Sequence, residues 1–252
     1  MLPLLLLLTA CGAPASPGTS PPPTVPAPPA VSPAVDGARR GASPFPGVSA
    51  TPVPGCVRRP ARRLELTLIR MEAFDYDPLN SPEELAAKAP LVVAGITEDF
   101  MPGPVVEEGL PGDRAHHVLL PVRVTERFKG RISGGLVHVK FSQGARGSDG
   151  LPRESVADFR RAVPAGNRVL LFLYPQIRSP DPSRAWPTIK DRARLPAGTV
   201  LYETHPQGIL FEQGLKVVGG TEDVNPASRW ADPCGLAGIA ERLRRAGYRG
   251  SS

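Results

Sequence analysis

The stretch from residue 12 to about residue 60 determines which part of this 252-residue chain can fold. It consists largely of Pro, Ala, Ser, Gly and Val, contains the run Pro21-Pro22-Pro23, and carries almost no charge. Such a composition has too few large apolar side chains to build a hydrophobic core. We expect an extended, disordered tether with polyproline II segments of about 3.1 Å per residue. Folding is therefore confined to residues 61–252, enough for a single β-rich globular domain.

The tether is preceded by an apolar run, residues 2–8, that ends in Leu8-Thr9-Ala10-Cys11. This ending resembles the lipobox of bacterial lipoprotein signal peptides. The resemblance implies that residues 1–10 are a signal peptide and that residues 11–60 begin with a cysteine bearing acyl chains such as palmitate. It also implies that the protein is held on the extracytoplasmic face of the cell membrane. A non-lipidated secretory peptide or a short anchor is the alternative, but the run is too short to cross about 30 Å of hydrocarbon.

Charge and cysteine content bear on partners and compartment. The net charge of +6 and the isoelectric point near 9.6 come mostly from arginine, which a GC-rich genome also favours. Basicity alone therefore does not indicate a nucleic-acid partner, and we expect none. With Cys11 committed to lipid, Cys56 and Cys234 remain as a pair in an oxidising compartment, which predicts a disulfide between them. Two free buried thiols are the alternative.

The apolar pattern of residues 61–252 predicts a mainly β fold, a small OB-like barrel or sandwich of about seven short strands. Residues 64–68 alternate strictly and predict a half-buried strand, whereas residues 169–174 are apolar throughout and predict a central strand buried on both faces. The remaining predicted strands are residues 91–97, 118–128 with its hairpin partner 136–141, 200–203, 209–212 and 215–218. Residues 102–112 and 176–196, which are rich in turn residues, predict loops.

Capping patterns predict short helices at the margins of this β structure. Ser81-Pro82-Glu83-Glu84 combines an N-cap, a first-turn proline and a capping-box glutamate, and Pro90 stops the helix that follows the first strand. Ser155 is expected to cap a second helix at residues 156–162. Asp232-Pro233 is expected to open a C-terminal helix that ends near Gly247. Its predicted buried face consists of Leu236, Ile239, Ala240 and Leu243.

Three segments together resemble a known family. They are residues 89–95 (APLVVAG), 122–130 (VRVTERFKG) and 166–173 (GNRVLLFL). In this order they look like the OB-type barrel of netrin-like and tissue-metalloprotease-inhibitor domains, and they are similar to uncharacterised secreted bacterial domains. The resemblance implies an OB-type barrel over roughly residues 91–173. It does not imply inhibition, because in that family the amine of an N-terminal cysteine binds the protease zinc, whereas Cys11 is expected to be lipidated and distant from the barrel.

Histidines beside carboxylates are the first candidates for metal chemistry. His116 and His117 follow Glu107, Glu108 and Asp113, which are all residue types that ligate divalent metals. Adjacent histidines on a strand point to opposite faces, however, so both do not readily bind one ion. We therefore expect no metal site and no cofactor.

The sequence also shows no strong catalytic motif. The chain has no Gly-x-Ser-x-Gly, Walker, HExxH or CxxC motif, and Ser142-Gln143-Gly144 is the nearest approach to a nucleophile. We expect His138 to be an outward-facing polar residue and His205 to belong to a turn. The carboxylates at Asp75, Asp77, Glu83 and Glu84 are explained in part by favourable charge at a helix start.

The sequence leaves two functions open. The first is a non-catalytic binding module displayed on the cell envelope for an unidentified protein or other partner. The second is an envelope hydrolase whose site involves the loop at Asp149 or residues 176–196. A deep pocket with converging His, Asp or Ser side chains would favour the hydrolase, whereas a flat or grooved barrel would favour the binding module.

The distribution of arginine predicts a basic collar at the root of the tether. The domain is slightly acidic between its ends, and a disulfide between Cys56 and Cys234 would bring two basic clusters together. Such a collar would bind anionic lipid or wall polymer, by up to about 1 kcal/mol per arginine near the surface. Arginines near a helix C-terminus also complement its dipole, which is the alternative explanation. The collar consists of Arg58, Arg59, Arg62, Arg63, Arg242, Arg244 and Arg245.

Acylation of Cys11 is directly testable. Because acyl chains partition into detergent micelles, we expect the expressed protein to enter the detergent phase in Triton X-114 separation and the Cys11→Ser variant to stay in the aqueous phase. Aqueous partitioning of both proteins would contradict the prediction.

Overall fold

The structure, a computed structural model, describes Cys56 and residues 63–70, 75–107, 112–176, 188–191, 193, 195–196 and 198–250. These residues belong to one compact unit, residues 50–252. The strands are β1 (Leu91–Thr97), β2 (Met101–Glu107), β3 (Arg114–Lys129), β4 (Leu136–Ser142), β5 (Arg168–Pro175), β6 (Thr188–Asp191), β7 (Leu201–Gln213) and β8 (Lys216–Gly219). The helices are a 3₁₀ helix (Thr67–Arg70), α1 (Pro82–Lys88), α2 (Val156–Ala162) and α3 (Leu236–Arg245).

Five of the strands close into a barrel. The hydrogen-bonded order is β1-β5-β7-β4-β3, and β3 pairs with β1 again to complete the circle. The pairs are antiparallel except for β4 with β7. β2 and β6 continue the sheet beyond β3, and β8 pairs with β7. The predicted mainly β fold with a small OB-like barrel is confirmed.

Closure requires a close approach between β1 and β3 at Gly95. A Cβ at Gly95 would lie 2.6 Å from the carbonyl oxygen of Arg123, far inside van der Waals contact. The register of the two strands also shifts between Ala94 and Gly95. Glycine is thus required where the two strands cross to close the barrel.

The hydrophobic core has two parts, one on each side of the barrel wall. The barrel interior is filled by side chains such as Val93, Leu120 and Leu171. The outer face of β1, β5 and β7 is covered by α1 and α3, where Phe172 packs among residues that include Leu85. β5 is therefore buried on both faces, as its uniformly apolar sequence predicted.

The predicted helix caps are mostly present. Ser81 Oγ accepts from Glu84 N at 3.2 Å, and Ser155 forms a complete capping box with Asp158. The C-terminal helix begins later than Asp232-Pro233 predicted, because Asp232 Oδ1 accepts from Cys234 N and holds a separate turn. The four apolar residues predicted to face inward are buried, and Gly247 ends the helix region with φ +92°.

Four predictions of local structure were wrong. Residues 64–68 alternate in burial as predicted, but none of the described strands pairs with them, and they lead into the 3₁₀ helix. The predicted loop at 102–112 contains β2, whose prolines fall at an irregularity between Pro102 and Val105, and the predicted loop at 176–196 contains β6. The turn residues at 204–208 form a register shift inside one continuous strand, β7, instead of separating two strands.

Candidate functional site

A pocket of about 210 Å³ lies beside β7 and β8, where two connecting segments cross the end of the helix-covered face. We call it the Leu79 pocket. Its base is apolar, from Leu79, Leu210, Val224 and Trp230, and its rim is polar. The other lining residues are Asn80, Gln207, Gly219, Glu222, Asp223, Asn225 and Ser228.

One backbone unit, that of Leu79, is fixed from two sides. The Gln207 side chain accepts from Leu79 N at 2.8 Å and donates to Leu79 O at 3.2 Å. The Trp230 indole N–H donates to the same carbonyl at 2.8 Å, while its ring lies edge-on to Phe172. Three distant parts of the chain therefore meet at this residue and form the pocket wall.

The Glu222 carboxylate is held by a neighbouring phenol. The Tyr76 hydroxyl donates to Glu222 Oε2, and the Tyr76 ring lies edge-on to His205 with centroids 4.9 Å apart. Burial, together with the bond to Glu222, raises the pKa of Tyr76 far above its usual value, so the phenol remains a donor. His205 Nδ1 accepts from Gln207 N at 3.2 Å, which assigns the ring proton to Nε2. His205 was expected in a turn, but it lies within the continuous strand β7, where its ring accepts from the backbone at a register shift.

Asp223 and Ser228 also have partners within the protein. Arg70 Nη2 lies 2.9 Å from Asp223 Oδ1, and the same guanidinium donates to the carbonyls of Gly219 and Gly220. Ser228 Oγ donates to Asn225 O at 2.7 Å and accepts from Trp230 N. The hydroxyl is therefore engaged in a turn, and no His ring contacts it among the residues described.

The two histidines of β3 are adjacent within a β-strand, whose geometry turns successive side chains to opposite faces. His117 is buried and its Nδ1 donates to Pro104 O at 3.0 Å. Nearby, Lys140 forms a 2.8 Å ion pair with Glu203, and its side chain is only 12% exposed. Burial first, and then the positive charge of Lys140, lowers the pKa of His117 to about 4. The His117 imidazole is therefore neutral at physiological pH.

The other predicted ligands and carboxylates are dispersed. Asp113 pairs with Arg146, Glu107 accepts from Gly112 N, and Glu108 lies outside the described residues. Within the described ranges, no group of three or more His, Cys, Asp or Glu residues is arranged to hold a metal ion. The weak nucleophile candidate Ser142 accepts from Gly144 N, as a turn hydroxyl does. His138 is half-buried on β4, and burial lowers its pKa.

Helix-start carboxylates have specific partners. Glu83 forms a bidentate pair with Arg242, both bonds 2.8 Å, which joins α1 to α3. Burial opposes ionisation of Glu83, but the bonds from Arg242 outweigh it and hold the pKa of that carboxyl below its usual value. Glu84 accepts from Asn80 N, whereas Asp75 and Asp77 are exposed.

The predicted basic collar is partly neutralised. Besides Arg242, Arg244 makes a bidentate pair with Glu126, both bonds 2.8 Å, and contacts Glu241. Arg63 and Arg245 are exposed, and neither has an ion-pair partner among the described residues. The leading residues Arg58, Arg59 and Arg62 lie outside the described residues. Binding of an anionic surface therefore stays a prediction, now dependent on fewer of the seven arginines.

The remaining predictions concern the disulfide and the N-terminal segment. The structure pairs Cys56 with Cys234, with Cα atoms 5.1 Å apart, which is consistent with the predicted bond. The lipobox, Cys11 and the tether lie outside the described residues, except for Cys56 itself. Among the residues that the structure describes, no helix has the length and hydrophobicity needed to cross a membrane.

Comparison with known proteins gave no match to any family model, curated protein or solved structure.

Sequence reasoning missed the Leu79 pocket because its residues come from segments without a repeating pattern. Gln207 and Trp230 are separated from Leu79 by 128 and 151 positions, respectively. One hint was present: a tryptophan and two adjacent carboxylates, Glu222 and Asp223, occur in an irregular stretch between β8 and α3. A large aromatic residue in such a stretch usually packs against something specific.

The buried imidazole of His117 makes stability depend on pH. The pKa of His117 in the folded state, about 4, lies below the ordinary value of 6.5. As pH falls from 6.5 toward 4, the unfolded chain therefore binds a proton that the folded chain does not, and the free energy of unfolding decreases. We expect His117→Asn, which retains a donor for Pro104 O, to remove part of this slope, up to about 1.4 kcal/mol per pH unit. Urea unfolding between pH 4.5 and 7 measures it. Because burial also lowers the pKa of the half-buried His138, the His138→Asn control should lose part of the slope as well, but a smaller part than His117→Asn. An unchanged slope in His117→Asn would contradict the assignment.

Proposed function

We propose that this protein is a lipid-anchored envelope protein whose barrel binds a small molecule in the Leu79 pocket, without catalysis. The pattern at Cys11 supports the anchor, and the proline-rich stretch supports a spacer that carries the barrel away from the membrane. We place the protein on the extracytoplasmic face, with anionic lipid or wall polymer as a second contact through the exposed arginines. We also propose that this barrel is related to netrin-like domains.

The observation that carries the binding role is the fixed wall of the pocket. The Leu79 carbonyl accepts two bonds and its N–H donates one, and the partner side chains Gln207 and Trp230 belong to or pack against the barrel. A wall held in this way loses little conformational freedom when a ligand binds, so less binding energy is spent on ordering it. An apolar base with a few placed polar groups is also typical of small-molecule sites.

The internal bonds of the pocket favour binding over hydrolysis. The Ser228 hydroxyl and the Glu222 and Asp223 carboxylates each have a hydrogen-bond or ion-pair partner within the protein that positions them. A nucleophile requires a general base within hydrogen-bond reach. The partner of Ser228 is instead the carbonyl of Asn225, which serves the turn. The hydrolase alternative therefore gains no support from this pocket.

A neutral aromatic probe tests whether the pocket binds small molecules. We expect benzyl alcohol to shift the Trp230 indole N–H resonance saturably, because this indole lies in the pocket wall. Asn225→Trp should block the mouth and abolish the effect. The matched control, Ala227→Trp, places the same ring on a neighbouring exposed residue outside the lining set and should leave binding intact. A non-saturable shift, or equal binding by both variants, would refute a ligand site here.

A further inference from the structure

Three donors on residues that line the Leu79 pocket are already used. The Trp230 N–H and the Gln207 amide N–H both point to the Leu79 carbonyl, and the Ser228 hydroxyl donates to Asn225 O. A ligand that takes the donors of Trp230 or Ser228 would have to break these bonds. Among the described side chains of the lining, the amide donors that remain are the second N–H of Gln207 and those of Asn80 and Asn225 at the exposed rim.

Two carboxylates of the lining, by contrast, each keep an oxygen that can accept a hydrogen bond. Tyr76 takes one oxygen of Glu222, and Arg70 takes one oxygen of Asp223. The second oxygen of each carboxylate has no hydrogen-bond partner among the described residues. Both residues line the pocket, so its unused polar groups include two carboxylate oxygens.

The charged side chains of the described pocket lining are all negative. Two of its residues are acidic, and none of the described lining residues is basic. Arg70 is the nearest described counter-charge to Asp223, but it also donates to the carbonyls of Gly219 and Gly220. Those bonds hold the guanidinium against the backbone instead of letting it turn into the pocket. The side chain of Asp223 stays 85% exposed.

We infer that the Leu79 pocket takes a small organic cation, an ammonium group attached to an apolar body. This inference rests on the proposed binding function and names the ligand class. The apolar part would lie on the base formed by Leu79, Leu210 and Trp230, and the ammonium would donate to the free oxygens of Glu222 and Asp223. Bonds between charged partners are stronger than neutral ones, so the cation is preferred over an equally large alcohol. An anion of the same size is excluded by repulsion.

Three probes that share one ring separate these cases. They are benzylammonium, benzyl alcohol and benzoate, each titrated against the full chain while the Trp230 indole resonance is followed. We expect benzylammonium to bind about tenfold more tightly than benzyl alcohol, benzoate not to bind, and the preference for the cation to fall as salt is added.

Charge-removing variants with retained shape complete the test. Glu222→Gln and Asp223→Asn should each lower the affinity for benzylammonium several-fold and leave that for benzyl alcohol unchanged. The matched control is Asp99→Asn, an exposed carboxylate outside the lining set, which should change neither. Equal affinity for cation and alcohol in the unmodified chain would overturn the ligand class while leaving the binding function intact. Absence of saturable binding by all three probes would overturn both.

Discussion

The double pairing of β1, with β5 along one edge and β3 along the other, is the constraint on which the rest of the structure depends. Without it the sheet would be an open ribbon with two exposed edges. With it, five strands enclose an apolar interior, and the approach at Gly95 becomes necessary. Closure also creates an outer face on β1, β5 and β7 that is itself apolar and needs a cover.

That cover links the fold to the candidate site. α1 and α3 lie on the outer face and are joined to each other by the bidentate pair of Glu83 and Arg242. Cys234 precedes α3 and pairs with Cys56 near the start of the described chain. The Leu79 pocket forms where the segments that lead into these helices cross the end of the face. The wall of the pocket is therefore formed by the segments that connect the covering helices to the barrel. The rigidity of this wall comes from the same packing.

Much of the barrel was predictable from local sequence, and the pocket was not. β1, β5 and the caps at Ser81 and Ser155 follow from apolar runs and capping residues, which act over a few positions. β2 and the continuity of β7 were missed because Pro102 and the turn residues near Gly208 mark irregularities within strands, which look like turns in sequence. The contacts at Leu79 join segments more than a hundred residues apart, and only the closed barrel brings them together.

The disulfide could be predicted from sequence, whereas the ion pairs of the arginines could not. Pairing of Cys56 with Cys234 was expected from cysteine count and compartment, which require no knowledge of the fold. The partners of Arg242 and Arg244 depend on where α3 lies on the barrel, and the carboxylates that receive them are 159 and 118 positions away. Charge counts in sequence therefore overestimate the free positive charge of the C-terminal helix.

Residue-resolved hydrogen exchange of the full chain tests the central claim, that a closed barrel fixes the Leu79 pocket, most directly. Exchange reports the free energy of opening each hydrogen bond. We expect Val93 and Ala94 in β1 to exchange as slowly as Leu171 in β5, and the Leu79 amide and the Trp230 indole N–H to be protected with them. Exchange of β1 as fast as that of β8, which pairs with β7 alone among the described strands, or rapid exchange at Leu79 and Trp230, would contradict the claim.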